Sequence, residues 1–326
     1  MAKLAPRDLA QVLGSLPNQP FNESVLVGYE NADDAGVFRI SNNVALVQTV
    51  DFFTPVVDDP EIYGRIAAVN SLNDVYAMGG KPLTSLAIVC YPQKGDLEVL
   101  GQIMRGGQLC MIEEGVAVLG GHTVDDAEIK FGYSVTGVID PQHVITNSNA
   151  KVDDILVLTK PIGTGAISTG IKHQIARQEA INASIKAMTT TAAKTSAEMQ
   201  RLGANACTDI TGFGLLGHSY EMAKASNVCL KIISDKVPLL PDVLELISQG
   251  MITRGDKNNR AYVGETITFT DNVSHEMQSA LFDPQTAGGL LISLESSKAE
   301  EFVKNIEGST IIGEVKHKEN FLLEII

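Results

Sequence analysis

Between Val44 and Tyr91 the chain spells out a strand, a capped helix and a second strand, and this unit constrains everything around it. Val44-Ala-Leu-Val-Gln-Thr-Val50 has the length and β-branched content of a strand. It runs into Asp51-Phe-Phe-Thr-Pro55, where the proline ends pairing. A helix follows. Asp59 is a natural N-cap, Pro60 suits the first helical position, Glu61 favours the positive end, and Gly79-Gly80 stops it. Ile62, Ile66, Val69, Asn73 and Tyr76 form one stripe inside it, and only Asn73 is polar. Residues 83–91 read as a strand, 96–114 as a helix, and 116–119 and 129–139 as strands.

With 326 residues the chain is too long for one ordinary core and points to two domains of about 150 residues each. The polar, turn-prone segment Asn147-Ser-Asn-Ala-Lys-Val-Asp-Asp154 is the expected boundary, dividing residues 1–150 from 151–326. Beyond it, strands are expected at 155–159, 266–269, 290–293, 310–312 and 321–326. Helices are expected at 183–202, at 215–225 and starting at Pro241. No internal repeat joins the halves.

Composition narrows the function classes. No run of about 18 apolar residues is free of charge, so no membrane span is expected. The first residues lack the apolar centre of a secretory signal, which makes the cytoplasm the default location. A formal charge of −14 argues against a general nucleic-acid binder. Cys90, Cys110, Cys207 and Cys229 have no Cys-x-x-Cys spacing, so reduced core thiols are expected rather than zinc or disulfides.

Five polar clusters fall at the ends of expected elements, where mixed α/β enzymes place their sites. In Asn31-Ala-Asp33-Asp34-Ala-Gly36, adjacent aspartates need solvent or a cation. In Thr49-Val-Asp51 the aspartate ends an apolar strand and faces solvent or a ligand. Asn70 and Asp74 lie one turn apart on the capped helix, a pair of oxygen donors that suits a hard cation or a plain polar face. Gly120-Gly121-His122-Thr123 reads as a loop after a strand, open to a phosphate or a partner. Last, Thr208-Asp209-Ile-Thr-Gly212-Phe-Gly214-Leu-Leu-Gly217-His218 matches Gly-x-Gly-x-x-Gly literally. No typical strand leads into it, however, and Asp209 would repel a bare phosphate. No Gly-x-x-x-x-Gly-Lys-Ser/Thr occurs, which excludes a Walker-type nucleotide site. Aspartates at element ends can hold ATP only through Mg²⁺ bridging carboxylate and phosphate.

Taken in order, Asp33-Asp34-Ala, Gln48-Thr-Val-Asp51-Phe-Phe-Thr-Pro55, Asn70-Ser-Leu-Asn-Asp74 through Pro82, Gly120-Gly-His-Thr123, Thr208 through His218 and Asp283-Pro-Gln-Thr-Ala-Gly-Gly-Leu290 resemble the selenophosphate synthetase (selenide, water dikinase) family. The resemblance runs from Lys3 nearly to the end and is looser near residues 253–259. It implies an α+β, two-domain fold of the aminoimidazole ribonucleotide synthetase type, with strands of two N-terminal domains closing a barrel in a homodimer. The implied reaction converts ATP, selenide and water to selenophosphate, AMP and phosphate. Asp34, Asp51, Asn70, Asp74 and Asp209 would ligate Mg²⁺ or support its ligands. Thr49, Gly121, His122 and Thr123 would line the nucleotide site, the glycine-histidine segment reaching it across the dimer, and Lys3 would neutralise phosphate charge. A K⁺ requirement and a selenium-delivery partner stay open. The family carries Cys or Sec three residues before that lysine, whereas this sequence starts two residues before Lys3, so ATP hydrolysis with impaired use of selenide is expected. Thiamine monophosphate kinase, aminoimidazole ribonucleotide synthetase, a hydrogenase-maturation dehydratase and a silent nucleotide-binding paralogue share the fold and are the alternatives.

Overall fold

The computed structural model describes residues 11–17, 20–28 and 33–326. Its first sheet has six strands: β1 (Val25–Val27), β2 (Gly36–Arg39), β3 (Ala45–Phe53), β4 (Lys81–Tyr91), β5 (Ala117–Asp125) and β6 (Lys130–Ile139). They are ordered β1-β2-β3-β6-β4-β5, antiparallel except for β4 beside β5. Two helices, α1 (Pro60–Ala77) and α2 (Leu97–Glu113), lie side by side over one face. The expected cap forms, Asp59 accepting the Ile62 amide at 2.9 Å, and Asp96 caps α2 by accepting the Glu98 amide at 2.9 Å. The helices cross at glycines. A Cβ on Gly64 would stand 1.8 Å from the Ile103 carbonyl oxygen, and one on Gly106 1.8 Å from that of Glu61.

The second sheet has seven strands: β7 (Ile155–Leu158), β8 (Ala206–Asp209), β9 (Val228–Ile232), β10 (Ile267–Phe269), β11 (Leu290–Leu294), β12 (Thr310–His317) and β13 (Leu323–Ile325). Their order is β10-β13-β9-β12-β7-β11-β8. Every residue of β11 is buried, as its near-continuous apolar sequence demands. One apolar core runs from the first sheet through α1 to Val157, Cys207, Leu290 and Ile292 of the second sheet. α1 is therefore enclosed on all sides, and its polar residues 70–74 must find partners inside.

Three expectations are corrected. Residues 183–202 form two helices, α4 (Gln178–Met188) and α5 (Ala193–Leu202), after a preceding α3 (Thr164–Lys172). The break is local chemistry, because the Thr189 and Thr190 hydroxyls bond back to the carbonyls of Ile185 and Lys186 at 2.8 and 2.7 Å. Gly121, His122 and Thr123 lie within β5 and not in a loop. What looked like a loop survives as a bulge against β4, with Gly120 at φ +143°. A strand, β8, does lead into the glycine string, and α6 (Gly214–Ser226) leaves it. The helix expected from Pro241 forms as α7 (Val243–Ser248), and three helices that the sequence reading passed over, α8 (Arg254–Val263), α9 (His275–Phe282) and α10 (Ser296–Asn305), follow it. Among the described residues no helix is long and apolar enough to cross a membrane. The four cysteines are free, with Cys90 only half-buried.

Candidate active site

The inward face of β3 meets the polar turn of α1. Strand alternation sends Val47, Thr49 and Asp51 to the helix side, while Val50 and Phe52 point away. Thr49 Oγ1 donates to Asp74 Oδ2, and Asn70 Nδ2 donates to Asp51 Oδ2. Ser71 Oγ donates to the Asp51 carbonyl at 3.1 Å. Asp51 itself is not at a strand end, because pairing with β6 continues through Phe53 opposite Phe131.

The second domain closes the site. Thr208 of β8 donates its hydroxyl to Asp34 Oδ1 at 2.9 Å, and Asp209 follows on the same strand. The Ala287 amide donates to Asn70 Oδ1 at 2.7 Å. Asn73 bridges Gly288 and Ala192, accepting the Ala192 amide at 3.1 Å. Burial holds the Asp34 carboxyl well above its ordinary pKa, and the nearby charges of Asp209 and Asp74 add to it against the Thr208 hydroxyl. Burial raises Asp33 as well, opposed by the Asn147 amide that it accepts at 2.9 Å. Cys207, deeply buried and close to Asp34 and Asp209, has its thiol pushed far up and is no nucleophile as it stands.

Of the expected metal set, Asp209 and Asp74 therefore both bear on Asp34, and Asp51 pairs with Asn70. Among the described residues no group of three or more His, Cys, Asp or Glu side chains is already arranged as a metal cage. The carboxylates of Asp51 and Asp74 are turned to Asn70 and Thr49 instead. Yet Asp34 Oδ2 is buried with no hydrogen-bond partner among the described residues, and its neighbours are like charges. An all-oxygen donor set with an unmatched buried oxygen fits a hard divalent cation such as Mg²⁺.

Other expected residues stand apart. Lys3 lies outside the described residues. Gly121, His122 and Thr123 sit on the edge strand β5, separated from β3 by β6 and β4, so one chain does not bring them to the aspartates. They line a groove of about 590 Å³ with Met104, Arg105 and Gln108 of α2.

Sequence reasoning missed Lys160, which is buried one residue past Thr159 with Nζ bonded to the carbonyls of Thr190 and Ala287. Burial drops its pKa to about 7 despite the opposing pull of Asp209. Its signal was a lysine closing the apolar run Ile155-Leu-Val-Leu-Thr159.

A two-domain fold with aspartates from both domains around one helix defines a class. Residues 32–139 match the AIR synthase related protein N-terminal domain and residues 151–325 the corresponding C-terminal domain. Solved structures agree on the fold. A ThiL protein complexed with AMPPCP and TMP is 19% identical with a TM-score of 0.68, covering 97% of this chain and 91% of its own. A chain of a HypE–HypF complex is 19% identical with a TM-score of 0.71, covering 98% of this chain and 96% of its own. The chain belongs to the AIR synthase related proteins.

Within them it is a member of the selenide, water dikinase family. The protein of that name from Clostridioides difficile (strain 630) is 45% identical over 94% of this chain and 88% of its own length. That from Pelobacter propionicus is 46% identical over 96% and 92%. The relative from Caldanaerobacter subterraneus subsp. tengcongensis is 45% identical over 98% and 94%.

Proposed function

We propose that the chain converts ATP, selenide and water to selenophosphate, AMP and phosphate, with the nucleotide phosphates held by aspartates through Mg²⁺. The observation that carries this reading is the approach of Asp74, from the first domain, and Asp209, from the second, to the buried Asp34, whose Oδ2 is unmatched. Mg²⁺, when bound, would neutralise these carboxylates and polarise the phosphates. The chain's own contribution is orientation: Thr49 steers Asp74, Asn70 steers Asp51, and Thr208 steers Asp34. Lys3 supplies positive charge to the phosphates in this scheme.

Nucleotide binding by Gly121, His122 and Thr123 requires a second copy. The sheet face opposite α1 and α2 supports one, because Phe38, Val50, Phe52 and Leu86 are 39%, 57%, 44% and 49% exposed there. Two such faces brought together close a barrel and carry one protomer's β5 towards the partner's aspartates. A cytoplasmic setting suits the free thiols.

The test is product analysis under anaerobic conditions with Mg²⁺, ATP and selenide, repeated with K⁺ replaced by Na⁺. AMP and phosphate should form together, and Asp74→Asn should lower turnover by more than about 100-fold, beyond what an outer hydrogen-bond partner costs. ADP as the sole nucleotide product, or turnover indifferent to Mg²⁺ and to Asp74→Asn, would sink the reading.

A further inference from the structure

Residues 283–289 run from the end of α9 to the start of β11, passing between the second sheet and α1. Close packing sets their path. A Cβ on Gly288 would stand 2.0 Å from the Ile210 carbonyl oxygen, and one on Gly289 2.6 Å from the Lys160 amide nitrogen. Between Thr286 and this glycine pair, Ala287 adopts φ +47°, a left-handed conformation that costs a non-glycine residue of order 1 kcal/mol or more. Such a conformation persists only where neighbours hold it.

Two hydrogen bonds hold it, one on each side of the Ala287 Cα. Lys160 Nζ donates to the Ala287 carbonyl at 2.9 Å and, at 2.6 Å, to the Thr190 carbonyl between α4 and α5. The Ala287 amide donates to Asn70 Oδ1 at 2.7 Å. That second bond decides which way the Asn70 amide faces. With Oδ1 engaged by an N–H, the NH₂ group is the end left for Asp51, and Asn70 Nδ2 does donate to Asp51 Oδ2. A buried amine or ammonium is costly unless its donors are used, and here two carbonyls each take one. An apolar side chain of the same length would fill the space without holding the carbonyl.

We infer that Lys160 is a positioning residue: through Ala287 and Asn70 it presents the Asp51 carboxylate to the metal site in one orientation. The inference rests on Asp51 serving as a Mg²⁺ ligand. Lys160 touches no substrate in this scheme, and its effect reaches the metal through one chain of contacts. That chain can be cut at either end.

The experiment compares the full-length wild type with Lys160→Met, Asn70→Ala and the double variant. Mg²⁺ is titrated into each in the presence of a non-hydrolysable ATP analogue, and the rise in Tm gives the Mg²⁺ midpoint independently of turnover. Lys160→Met should raise the midpoint about 10-fold, the lower end for loss of an outer-sphere partner. The double variant should shift it no further than Asn70→Ala alone, since both cuts fall on one path. A wild-type midpoint in Lys160→Met, or shifts that add in the double variant, overturns the inference. A wild type with no Mg²⁺ response overturns the metal reading and this inference with it. Should Lys160→Met fail to fold, Lys160→Arg takes its place in the same comparison, because it keeps the charge but displaces the donors.

Discussion

α1 and α2 lie against each other on the same face of one sheet and depart from apolar-in, polar-out patterning in opposite directions. α1 buries Asn70, Ser71 and Asn73 completely and Asp74 to 8% exposure. α2 leaves Leu97, Met104 and Ile112 exposed at 74%, 42% and 61%. The polar residues of α1 are not errors of pattern. Asn70 and Asn73 reach the strap at Ala287 and Gly288, and Asp74 faces Thr49. α1 is shaped by what the second domain and the site demand of it, whereas α2 packs mainly against α1, with the sheet beneath it.

The sharpest way to break this contrast is at the helix crossing. In Gly64→Val the new side chain would start 1.8 Å from the Ile103 carbonyl oxygen, which is backbone and cannot swing aside. The two helices would have to separate, and α1 would lose its seat between the sheets. Chemical denaturation should show a loss of about 3 kcal/mol or more, the upper range for overpacking a core. A loss under about 1 kcal/mol would mean that the enclosure of α1 is looser than described.

A smaller effect tests the strap that α1 grips. Asp283 is buried where the chain leaves α9. It accepts the Ala166 amide at 3.0 Å, yet burial still raises its pKa from 3.8 to about 7. The unfolded carboxyl titrates near 3.8 and the folded one at about 7, so between these values the folded chain keeps a proton that the unfolded chain has lost. Stability should therefore fall as pH rises through that window, by about 1.4 kcal/mol per pH unit at the steepest. Urea midpoints measured from pH 4 to 8 would show it. Asp283→Asn should make the slope shallower, leaving the part that Asp33 and Asp34, also raised by burial, contribute. An unchanged slope would overturn the assignment to Asp283.

How much of this could be read from the chain divides along the same line. The caps of α1, its length and the flanking strands follow from residues close in sequence, and Asp59, Pro60 and Gly79-Gly80 announced them. The break at Thr189 was also local, but the apolar content on both sides of it hid the hydroxyls that bond back to the preceding turn. Gly120 and Gly121 looked like a loop because adjacent glycines usually are one. In place, Gly121 lets β5 pass close to the Ala87 carbonyl, where a Cβ would stand 2.2 Å away. Asp34, Asp74 and Asp209 were visible one by one. The approach of Asp74 and Asp209 to Asp34 was not, because it depends on two sheets closing on α1, and no local pattern encodes that contact. Lys160 was hidden for the same reason, since its partners lie 30 and 127 positions away.

The smallest effect falls on α2 and should have the opposite sign. Gly101 lies inside the helix, and a Cβ there would meet nothing within 4 Å. Glycine in a helix interior costs about 0.5–1 kcal/mol relative to alanine, mainly through the freedom it gives the unfolded chain. Gly101→Ala should therefore stabilise the fold by roughly that amount in urea denaturation. The same substitution on α1 at Gly64 would destabilise, although both glycines occupy helix interiors of similar composition. If Gly101→Ala is destabilising, something packs on that side of α2 in solution, and the difference between the two helices would be one of partner rather than of kind.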